Sequence, residues 1–310
     1  MIDVIGFGAL NLDKIIYVDK IPKPDEEGYV RSICYCPGGS AANTVVGLAR
    51  LGLKTGYIGK VGNDEEGKIL LEDLRNEKVD TSLVKACTGR SGVAYIFVDE
   101  KGIRASIVDP GVNDTIGVED IDLDYVKKSK FLHLTSFISK LSTKSFLTQK
   151  KIVEEVPNVE ISFDPGQLYA EKGMGELESI IKRSKVILPS KREIELLTGY
   201  EYKTGCKILL KKGVEIVAVK LGEKGCYVTN GKEEYHIPAE TVEVVDTTGA
   251  GDAFCAGFLY GLVKNKDIYE CGKLGNFVAS RCITKSGARE GLPTLSDLYR
   301  IKTFSSNIQP

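Results

Sequence analysis

The sequence predicts an α/β protein in which a central, mostly parallel sheet is flanked by helices and carries a small antiparallel sheet as a lid. Short apolar runs alternate with amphipathic runs of helical length along most of the chain. This alternation is typical of parallel strands that are covered by helices on both faces. It breaks at Val30–Cys36, and again where Gly92–Asp99 and Arg104–Asp109 flank the turn Glu100–Gly102. Such a turn between two β-type runs indicates a hairpin, which places the lid outside the parallel sheet.

Each element of the main sheet follows from a local pattern. Short apolar runs predict the strands Asp3–Gly8, Thr55–Val61, Lys130–Thr135, Val159–Asp164, Lys185–Leu188 and Ile216–Lys220. The runs Cys226–Thr229 and Glu234–Ile237 flank Gly231 and predict a second hairpin. Apolar residues spaced three and four apart predict the helices Ser40–Leu51, Glu65–Lys78, Lys144–Glu155, Met174–Lys182, Lys191–Leu197, Gly205–Lys212, Ala250–Val263 and Tyr269–Thr284. Because no linker or repeat interrupts the pattern, we expect one domain over residues 1–310, with lid segments at about 14–37 and 92–110.

Composition excludes several classes of protein. With 42 basic and 43 acidic side chains, the chain lacks the charge of a general nucleic-acid binder. It contains no run of about 18 apolar residues and no signal-peptide pattern at its start, so we expect no membrane span and a cytoplasmic location. The eight cysteines are mostly scattered singly, as expected for reduced, buried thiols, and a disulfide is the alternative if the source is a hyperthermophile. Only three glutamines accompany many lysines and glutamates, which is typical of a thermophilic source.

The segment Val244–Phe254 is the strongest candidate for chemistry. It begins as a strand, passes Gly249 and Gly251, and enters a helix. The free amides and partial positive charge of a helix N-terminus suit an anion such as a phosphate. Asp252 stands in the first turn, where a carboxylate can also serve only as a helix cap. Residue chemistry alone leaves both roles open.

Two segments together resemble the signatures of the ribokinase-like (PfkB) family of carbohydrate and nucleoside kinases. Asp246–Asp252 matches the pattern D-T-x-G-A-G-D, and Pro37–Asn43 has the order P-G-G-S-A-A-N. The resemblance extends over almost the whole chain and implies a ribokinase-like fold that uses ATP as phosphate donor. It implies that Asp252 is the general base and that the amides of Gly249, Ala250 and Gly251 stabilise the moving phosphoryl group.

The resemblance also implies an acceptor site for a ribose-like sugar or a nucleoside, whose primary hydroxyl would be phosphorylated. Its residues are Asn11, Asp13, Gly38, Gly39 and Asn43. Carboxylate and amide groups suit a polyol, because they offer an acceptor and a donor to each hydroxyl. Ordinary turn chemistry is the alternative for the Asn-x-Asp pair, since both residue types favour turns.

The donor side is implied by Lys220-Leu221-Gly222-Glu223-Lys224-Gly225, which is similar to the family's x-x-G-x-x-G turn along the nucleotide. A plain hairpin turn is the alternative. Asn276 matches the polar helix position beside the adenine, and Lys285–Ala288 resembles the loop that closes over the base. Asp246 and Thr248 match the region of a monovalent-cation site, so K⁺ is a candidate activator. Whether ATP or ADP is the donor stays open at this point.

Departures from the family pattern bear on the metal and on the acceptor. Where the family carries N-x-x-E, this chain has Ser190 and Glu193, and Glu193 is expected to orient water bound to Mg²⁺. The ribokinase glutamate that contacts the sugar is missing from Thr135–Phe137. We therefore expect a nucleoside or a C1-substituted ribose to be preferred over free ribose, with a base stacking on Phe137 or a lid aromatic. A sugar phosphate such as ribose 1-phosphate is an alternative acceptor.

The remaining candidates have two interpretations each. Gln167 follows a stretch that resembles archaeal nucleoside kinases, and it either faces the acceptor or simply follows a Pro-Gly turn. Phe97, with Tyr35 and Tyr95, either contacts the acceptor or packs the lid. The exposed edge of a projecting lid also favours a homodimer. A non-catalytic ligand-binding or regulatory protein on the same fold is the competing class, although it would not need both a base and an anion site.

Overall fold

The computed structural model describes residues 1–299 and contains two sheets. The strands are β1 (Ile2–Phe7), β2 (Asn11–Val18), β3 (Val30–Gly38), β4 (Thr55–Gly62), β5 (Val84–Cys87), β6 (Gly92–Val98), β7 (Arg104–Asp109), β8 (Ser129–Thr135), β9 (Glu160–Asp164), β10 (Ser184–Ile187), β11 (Ile216–Lys220), β12 (Cys226–Thr229) and β13 (Glu234–Ile237). The helices are α1 (Ser40–Arg50), α2 (Glu65–Asn76), α3 (Leu123–Val126), α4 (Lys144–Glu155), α5 (Gly166–Ala170), α6 (Gly173–Glu176), α7 (Glu178–Arg183), α8 (Lys191–Thr198), α9 (Tyr202–Lys211), α10 (Ala250–Val263) and α11 (Ile268–Cys282). Within residues 1–299, no helix is long and apolar enough to cross a membrane.

The large sheet has nine strands in the order β13-β12-β11-β10-β9-β8-β1-β4-β5. Strands β4, β5, β1, β8, β9, β10 and β11 run parallel, and the hairpin of β12 and β13 extends the sheet antiparallel. The predicted α/β class and central sheet are thereby confirmed. Since parallel strands end at the same edge, the residues after β1, β9 and β11 are brought close together.

Helices cover both faces of the large sheet. Successive residues of each buried strand point to opposite faces, and both are apolar. On one face Val4 and Phe131 pack with residues of α1 and α10, whereas Ile5 and Leu132 face a second cluster with α4, α8 and α9. Such strands, apolar on both sides, are typical of parallel sheets.

Two parts of the large sheet and its cover differ from the predicted elements. The expected helix Met174–Lys182 is divided into α6 and α7, and Gly173 before the break has a φ of +77°. The break lies at Leu177, and Gly175 weakens helix formation just before it. Strand β5 was not predicted, since its four residues are half-buried or exposed and pair only with β4. Its backbone pairing, and not an apolar pattern, makes it a strand.

The lid is a four-stranded sheet in the order β3-β2-β6-β7. Its outer pairs are antiparallel, as predicted, and its central pair β2 and β6 is parallel. Because side chains alternate along a strand, the register defines two faces. The inner face carries Asp13, Ile15, Ala94, Ile96 and Arg104, and the outer face carries Lys14, Ile33, Tyr35, Tyr95, Phe97 and Ile107. Arg104 donates a hydrogen bond from Nη1 to Oγ1 of Thr248 at 3.3 Å, so the inner face is the one directed at α10.

Candidate active site

The anion-binding turn predicted at Gly249–Asp252 is built as a helix N-terminus. Gly249 precedes α10 with a φ of +75°, which only glycine adopts without strain. A Cβ at this position would lie 2.6 Å from Cβ of Ala288, so the turn also packs directly against the loop after α11. A Cβ on Gly251 would lie 3.4 Å from Nζ of Lys220. An ammonium group therefore stands beside the free amides of the helix, and the two together suit a phosphate.

Asp252 lies in the first turn of α10 with a half-buried side chain. Burial raises the pKa of its carboxyl to about 7, and the nearby Asp164 carboxylate adds to this increase. A hydrogen bond from Nδ2 of Asn43 and the charge of Lys220 oppose it. A carboxyl group with a pKa near neutral pH is suited to accept and return a proton.

Close packing of α1 on α10 brings Asn43 to this carboxylate. A Cβ on Gly47 would lie 2.9 Å from Cβ of Ala256, which shows how closely the two helices cross. Asn43 is 6% exposed; its Nδ2 donates to Oδ2 of Asp252 at 2.8 Å, and its Oδ1 accepts from Nε of Arg289 at 2.7 Å. Most of its amide is thus used within the protein, and only one Nδ2 hydrogen remains for an acceptor hydroxyl.

The other predicted acceptor residues cluster around the start of β2. Asn11 accepts a hydrogen bond at 2.8 Å from Asn113, which orients its side chain. Gly38 leaves room for Asp13, because a Cβ there would lie 2.6 Å from the carboxylate. Gly39 has a φ of +105°, and a Cβ there would lie 2.3 Å from the carbonyl oxygen of Ala9. Both glycines are therefore required by close approach.

Asp13 is electrostatically unusual for a residue of the lid. Burial raises the pKa of its carboxyl to about 6, although Arg289 and Arg104 oppose this increase. It is thus surrounded by two cationic groups in a setting with little water. Such a carboxylate gains from hydrogen-bond donors, as the hydroxyls of a polyol would provide.

Asp164 is a site residue that the sequence analysis missed. It ends β9, and its Oδ2 lies 2.6 Å from Nζ of Lys220 and 3.3 Å from Sγ of Cys255. Burial disfavours the charged form of Lys220, but the Asp164 carboxylate outweighs this and holds the lysine pKa above its ordinary value. The available signal was its position, since a carboxylate at the carboxyl end of a buried parallel strand lies at the binding edge of such a sheet.

Ser190 and Glu193 form a capping box at the start of α8. Oε2 of Glu193 accepts from the Ser190 amide at 2.6 Å, and Oγ of Ser190 accepts from the Glu193 amide at 3.3 Å. Burial and the Asp164 charge raise the pKa of Glu193. Among residues 1–299, no group of three or more acidic, His or Cys side chains is placed to hold a metal. The Glu193 carboxylate is of the type that suits Mg²⁺, which keeps several waters and is bound through one or two carboxylates and substrate phosphates.

The predicted nucleotide turn is formed, and both of its glycines have positive φ angles, +63° at Gly222 and +83° at Gly225. A Cβ on Gly225 would lie 2.0 Å from the carbonyl oxygen of Ile237, so no larger residue fits. Asn276 donates from Nδ2 to the carbonyl oxygens of Ile237 and Pro238 at 3.0 and 2.9 Å. It therefore anchors the end of β13 to α11, a contact different from the predicted one with adenine.

The predicted cation residues bind the anion turn to the loop after α11. Oδ1 of Asp246 accepts from the amide and Oγ1 of Thr248 at 2.9 and 2.7 Å, and its Oδ2 accepts from the Gly287 amide at 2.8 Å. These hydrogen bonds overcome the effect of burial and lower the pKa of Asp246. The carboxylate is thus ionised at neutral pH, as a cation ligand must be.

Five side chains that were candidates for contact with the acceptor make other contacts in the structure. Phe97 pairs in register with Ile16 on the outer face of the lid, away from Asp13. Tyr35 and Tyr95 lie on the same outer face, beside Lys14. Phe137 is fully buried and packs edge-on against Phe7 with ring centroids 5.6 Å apart. Gln167 is exposed and donates to Glu171 at 2.7 Å along α5. The alternation of side chains along the lid strands determines where the lid aromatics lie, and core packing determines the position of Phe137. Gln167 is held by a helix (i, i+4) pair.

Comparison with known proteins agrees with this geometry. Residues 1–295 match the family model described as pfkB family carbohydrate kinase. The chain is 56% identical over 252 residues to an uncharacterized sugar kinase of Archaeoglobus fulgidus, covering 81% of this chain and 100% of that one. It is 33% identical over 291 residues to an ATP-dependent ribose-1-phosphate kinase of Halopiger xanaduensis, with coverage of 93% and 94%. The crystal structure of ribokinase from Thermotoga maritima superimposes with a TM-score of 0.87 at 28% identity, covering 99% of this chain and 100% of that one.

Proposed function

Because this chain belongs to the pfkB family of carbohydrate kinases, we propose that it transfers the γ-phosphoryl group of ATP to the primary hydroxyl of a ribose-like acceptor. The observation that carries the proposal is Asp252, whose carboxyl has a pKa of about 7 and lies in the first turn of α10, the helix whose N-terminus Lys220 borders. A proton acceptor and an anion site at one helix end are what phosphoryl transfer requires. A non-catalytic binding protein would not need them together.

The transfer follows from the positions of these groups. The acceptor hydroxyl gives its proton to Asp252, and its oxygen forms a bond to the γ-phosphorus. The bond from that phosphorus to the β–γ bridging oxygen breaks, and the electron pair leaves on ADP. Lys220 and the amides of Gly249, Ala250 and Gly251 stabilise the charge on the moving group. Asp13, Asn11 and the backbone at Gly38 and Gly39 hold the acceptor in line.

The metal and cation assignments complete the proposed donor site. Glu193, beside Asp164 and Lys220, would hold the waters of Mg²⁺, which neutralises charge on the ATP phosphates when it is bound. K⁺ would bind near Asp246 and Thr248, whose loop packs against the anion turn. Gly222 and Gly225 would line the nucleotide phosphates and ribose, and Asn276 would shape the base site by fixing the segment after β13.

A second candidate acceptor is a sugar phosphate such as ribose 1-phosphate. Arg104 favours it, because this exposed guanidinium lies on the inner face of the lid and reaches Thr248 at 3.3 Å. A guanidinium matches the geometry of a phosphate group. A relative at 33% identity is described as an ATP-dependent ribose-1-phosphate kinase. Stacking of a nucleoside base has less support, since Phe137 and the lid aromatics do not face Asp13.

The experiment that tests the function is a panel assay. Ribose, ribose 1-phosphate, other sugars and nucleosides are each incubated with Mg²⁺ and either ATP or ADP, and product formation is followed by mass spectrometry. We expect ATP-dependent phosphorylation of at least one ribose derivative, with no transfer by the Asp252→Asn variant. Transfer to none of these acceptors, or equal transfer by the variant, would contradict the proposal.

We also propose that two copies associate through their lids. Ile33, Tyr35 and Ile107 on the outer face are 46%, 56% and 66% exposed. An apolar surface of this kind is costly to leave in water.

We further propose that the protein acts in the cytoplasm. All eight cysteines are free thiols, as expected for a reducing compartment.

A further inference from the structure

Arg289 is a buried arginine that connects the acceptor side of the site to the body of the protein. It follows α11, is 6% exposed and belongs to none of the motifs singled out in the sequence. Its Nε donates to Oδ1 of Asn43 at 2.7 Å, and its Nη1 donates to the carboxylate of Asp73 on α2. Its own carbonyl oxygen accepts from Nη1 of Arg50 at 2.6 Å. The side chain is therefore held from two helices, with its Nε directed at Asn43.

The contact with Asn43 determines which way that amide faces. A guanidinium has only donors, so the atom of Asn43 that meets it must be the oxygen Oδ1. The nitrogen Nδ2 is then left on the side of Asp252, where it donates to Oδ2 at 2.8 Å. Without a donor at the position of Nε, the amide could rotate and place its oxygen against the Asp252 carboxylate, which would repel it.

The environment of Arg289 is not the one that stability alone would favour. Among the described residues, its Nη2 is buried without a hydrogen-bond partner. A buried donor left unpaired lowers the stability of the folded chain. Within residues 1–299, the two contacts that the guanidinium does make are an ion pair with Asp73 and the hydrogen bond to Asn43, which is itself bonded to Asp252.

We propose that Arg289 is a positioning residue that fixes the amide of Asn43, so that Asn43 donates to Asp252 and holds the general base in one orientation. The inference rests on the proposed function, because it assigns Arg289 to the reaction of Asp252. Arg289 also opposes the raised pKa of Asp13, but its directed hydrogen bond to Asn43 is what connects it to Asp252.

The test compares Arg289→Met with Arg289→Gln, since methionine removes the N–H donor and glutamine keeps one. We expect Arg289→Met to lower kcat by at least ~10-fold, the loss typical of a hydrogen bond to a charged group, with KM for ATP nearly unchanged. Arg289→Gln should recover most of that loss. Arg183→Met is the matched control, because Arg183 binds the backbone carbonyls of Val153, Val156 and Val159 away from the site. It should lower stability and leave kcat unchanged.

A pH profile adds a readout that a structural anchor would not change. Loss of the Asn43 hydrogen bond should raise the pKa of the acidic limb of kcat/KM, since that bond opposes the effect of burial on Asp252. Both variants also remove the Arg289 charge that opposes the raised pKa of Asp13, so the readout is the difference in the acidic limb between Arg289→Met and Arg289→Gln. The other charged and titratable groups that influence or sense Asp252 are the same in both variants. They are Asp164, Lys220, Tyr57, Cys255 and Cys282.

Several results would overturn the proposal. One is a kcat for Arg289→Met within threefold of wild type, and another is equal loss in the methionine and glutamine variants. If Arg289→Met does not fold, Asn43→Asp tests the same idea, because aspartate still accepts from Arg289 but donates nothing to Asp252. It should also lower kcat and raise the acidic limb, and wild-type behaviour would count against the role.

A measurement without activity separates this inference from the proposed function. A double-mutant cycle of Arg289→Met and Asn43→Ala in urea unfolding should show coupling between the two residues. Coupling near zero would overturn the positioning role alone. A kinase rate insensitive to Asp252→Asn would instead overturn the proposed function, and this role with it.

Discussion

Nδ2 of Asn43 donates a hydrogen bond to Oδ2 of Asp252 at 2.8 Å, although the two residues are 209 positions apart in the chain. The contact joins the two sequence motifs that carry the family resemblance. It also sets the electrostatics of the site, because Asn43 is the main group that opposes the effect of burial on the Asp252 carboxyl.

Asp252→Asn should lower kcat by at least ~10²-fold, the low end for the loss of a positioned general base. The substituted amide oxygen can still accept from Asn43, so the local structure should be kept. Affinity for ATP should change little, because the role proposed for the carboxylate is on the acceptor hydroxyl. Steady-state kinetics and calorimetric ATP binding measure both quantities, and turnover within threefold of wild type would rule out the assignment.

Activity should rise with pH through the pKa of Asp252, which is about 7. Below that pH the carboxyl is protonated and cannot accept the hydroxyl proton. A pH profile of kcat/KM with a well-used acceptor measures this limb. A rate independent of pH between 5 and 8 would contradict the role of a base with a raised pKa.

The same pKa predicts how stability depends on pH. The folded pKa is raised above the ordinary value of 3.8, so ionisation of Asp252 destabilises the folded chain as pH rises from about 4 to about 7. Asp252→Asn removes that effect. The variant should therefore gain stability relative to wild type across this pH range and show little difference below it. Urea unfolding at pH 4 and pH 8 gives the comparison, and an equal difference at both pH values would argue against a raised pKa.

Gly249→Ala should reduce kcat and stability together. Its φ of +75° is unfavourable for alanine, and the new Cβ would lie 2.6 Å from Cβ of Ala288, so the anion turn must shift. Gly199→Ala is the matched control, because Gly199 has a φ of +76° and nothing within 4 Å of its Cβ position. The control should cost about 1 kcal/mol of stability, from backbone strain alone, without loss of kcat. Equal kinetics in the two variants would mean that the turn tolerates displacement.

Arg104→Met should raise KM for ribose 1-phosphate by at least ~10-fold and leave KM for free ribose nearly unchanged, if a phosphate on the acceptor is bound by this guanidinium. Arg31→Met is the control on the same sheet, because Arg31 is exposed and pairs with Glu100 at 2.6 Å. Side-by-side kinetics with the two acceptors decide the matter. A higher kcat/KM for free ribose or a nucleoside than for ribose 1-phosphate would indicate that the acceptor is a sugar or nucleoside and not a sugar phosphate.

The outer face of the lid predicts a homodimer. Tyr35→Ser combined with Ile107→Ser removes apolar surface from this face, and both residues are directed away from Asp13. Light scattering at micromolar concentration should give a dimer for the wild-type chain and a smaller mass for the double variant. A wild-type monomer would refute the prediction.

The sequence by itself determined the elements whose causes are local. Alternating apolar and amphipathic runs predicted the parallel sheet, and the bounds of α4, α10, β12 and β13 were predicted to the residue. The turn at Gly249–Asp252 was also predictable, because its glycines and its acidic residue act through the backbone of one short segment. Features that depend only on residues close together in the chain can be predicted from the sequence.

Only the tertiary structure decided which side chains meet. A strand pattern shows that Phe97 and Asp13 belong to a two-faced sheet, but the register and the docking of the lid decide that they lie on opposite faces. The meeting of Asp164 with Lys220, and of Arg289 with Asn43, depends on helices and strands that pack from distant parts of the chain. Packing energy is distributed over many residues, so no local pattern specifies these pairs. They are the contacts that orient the side chains of the site and set its electrostatics.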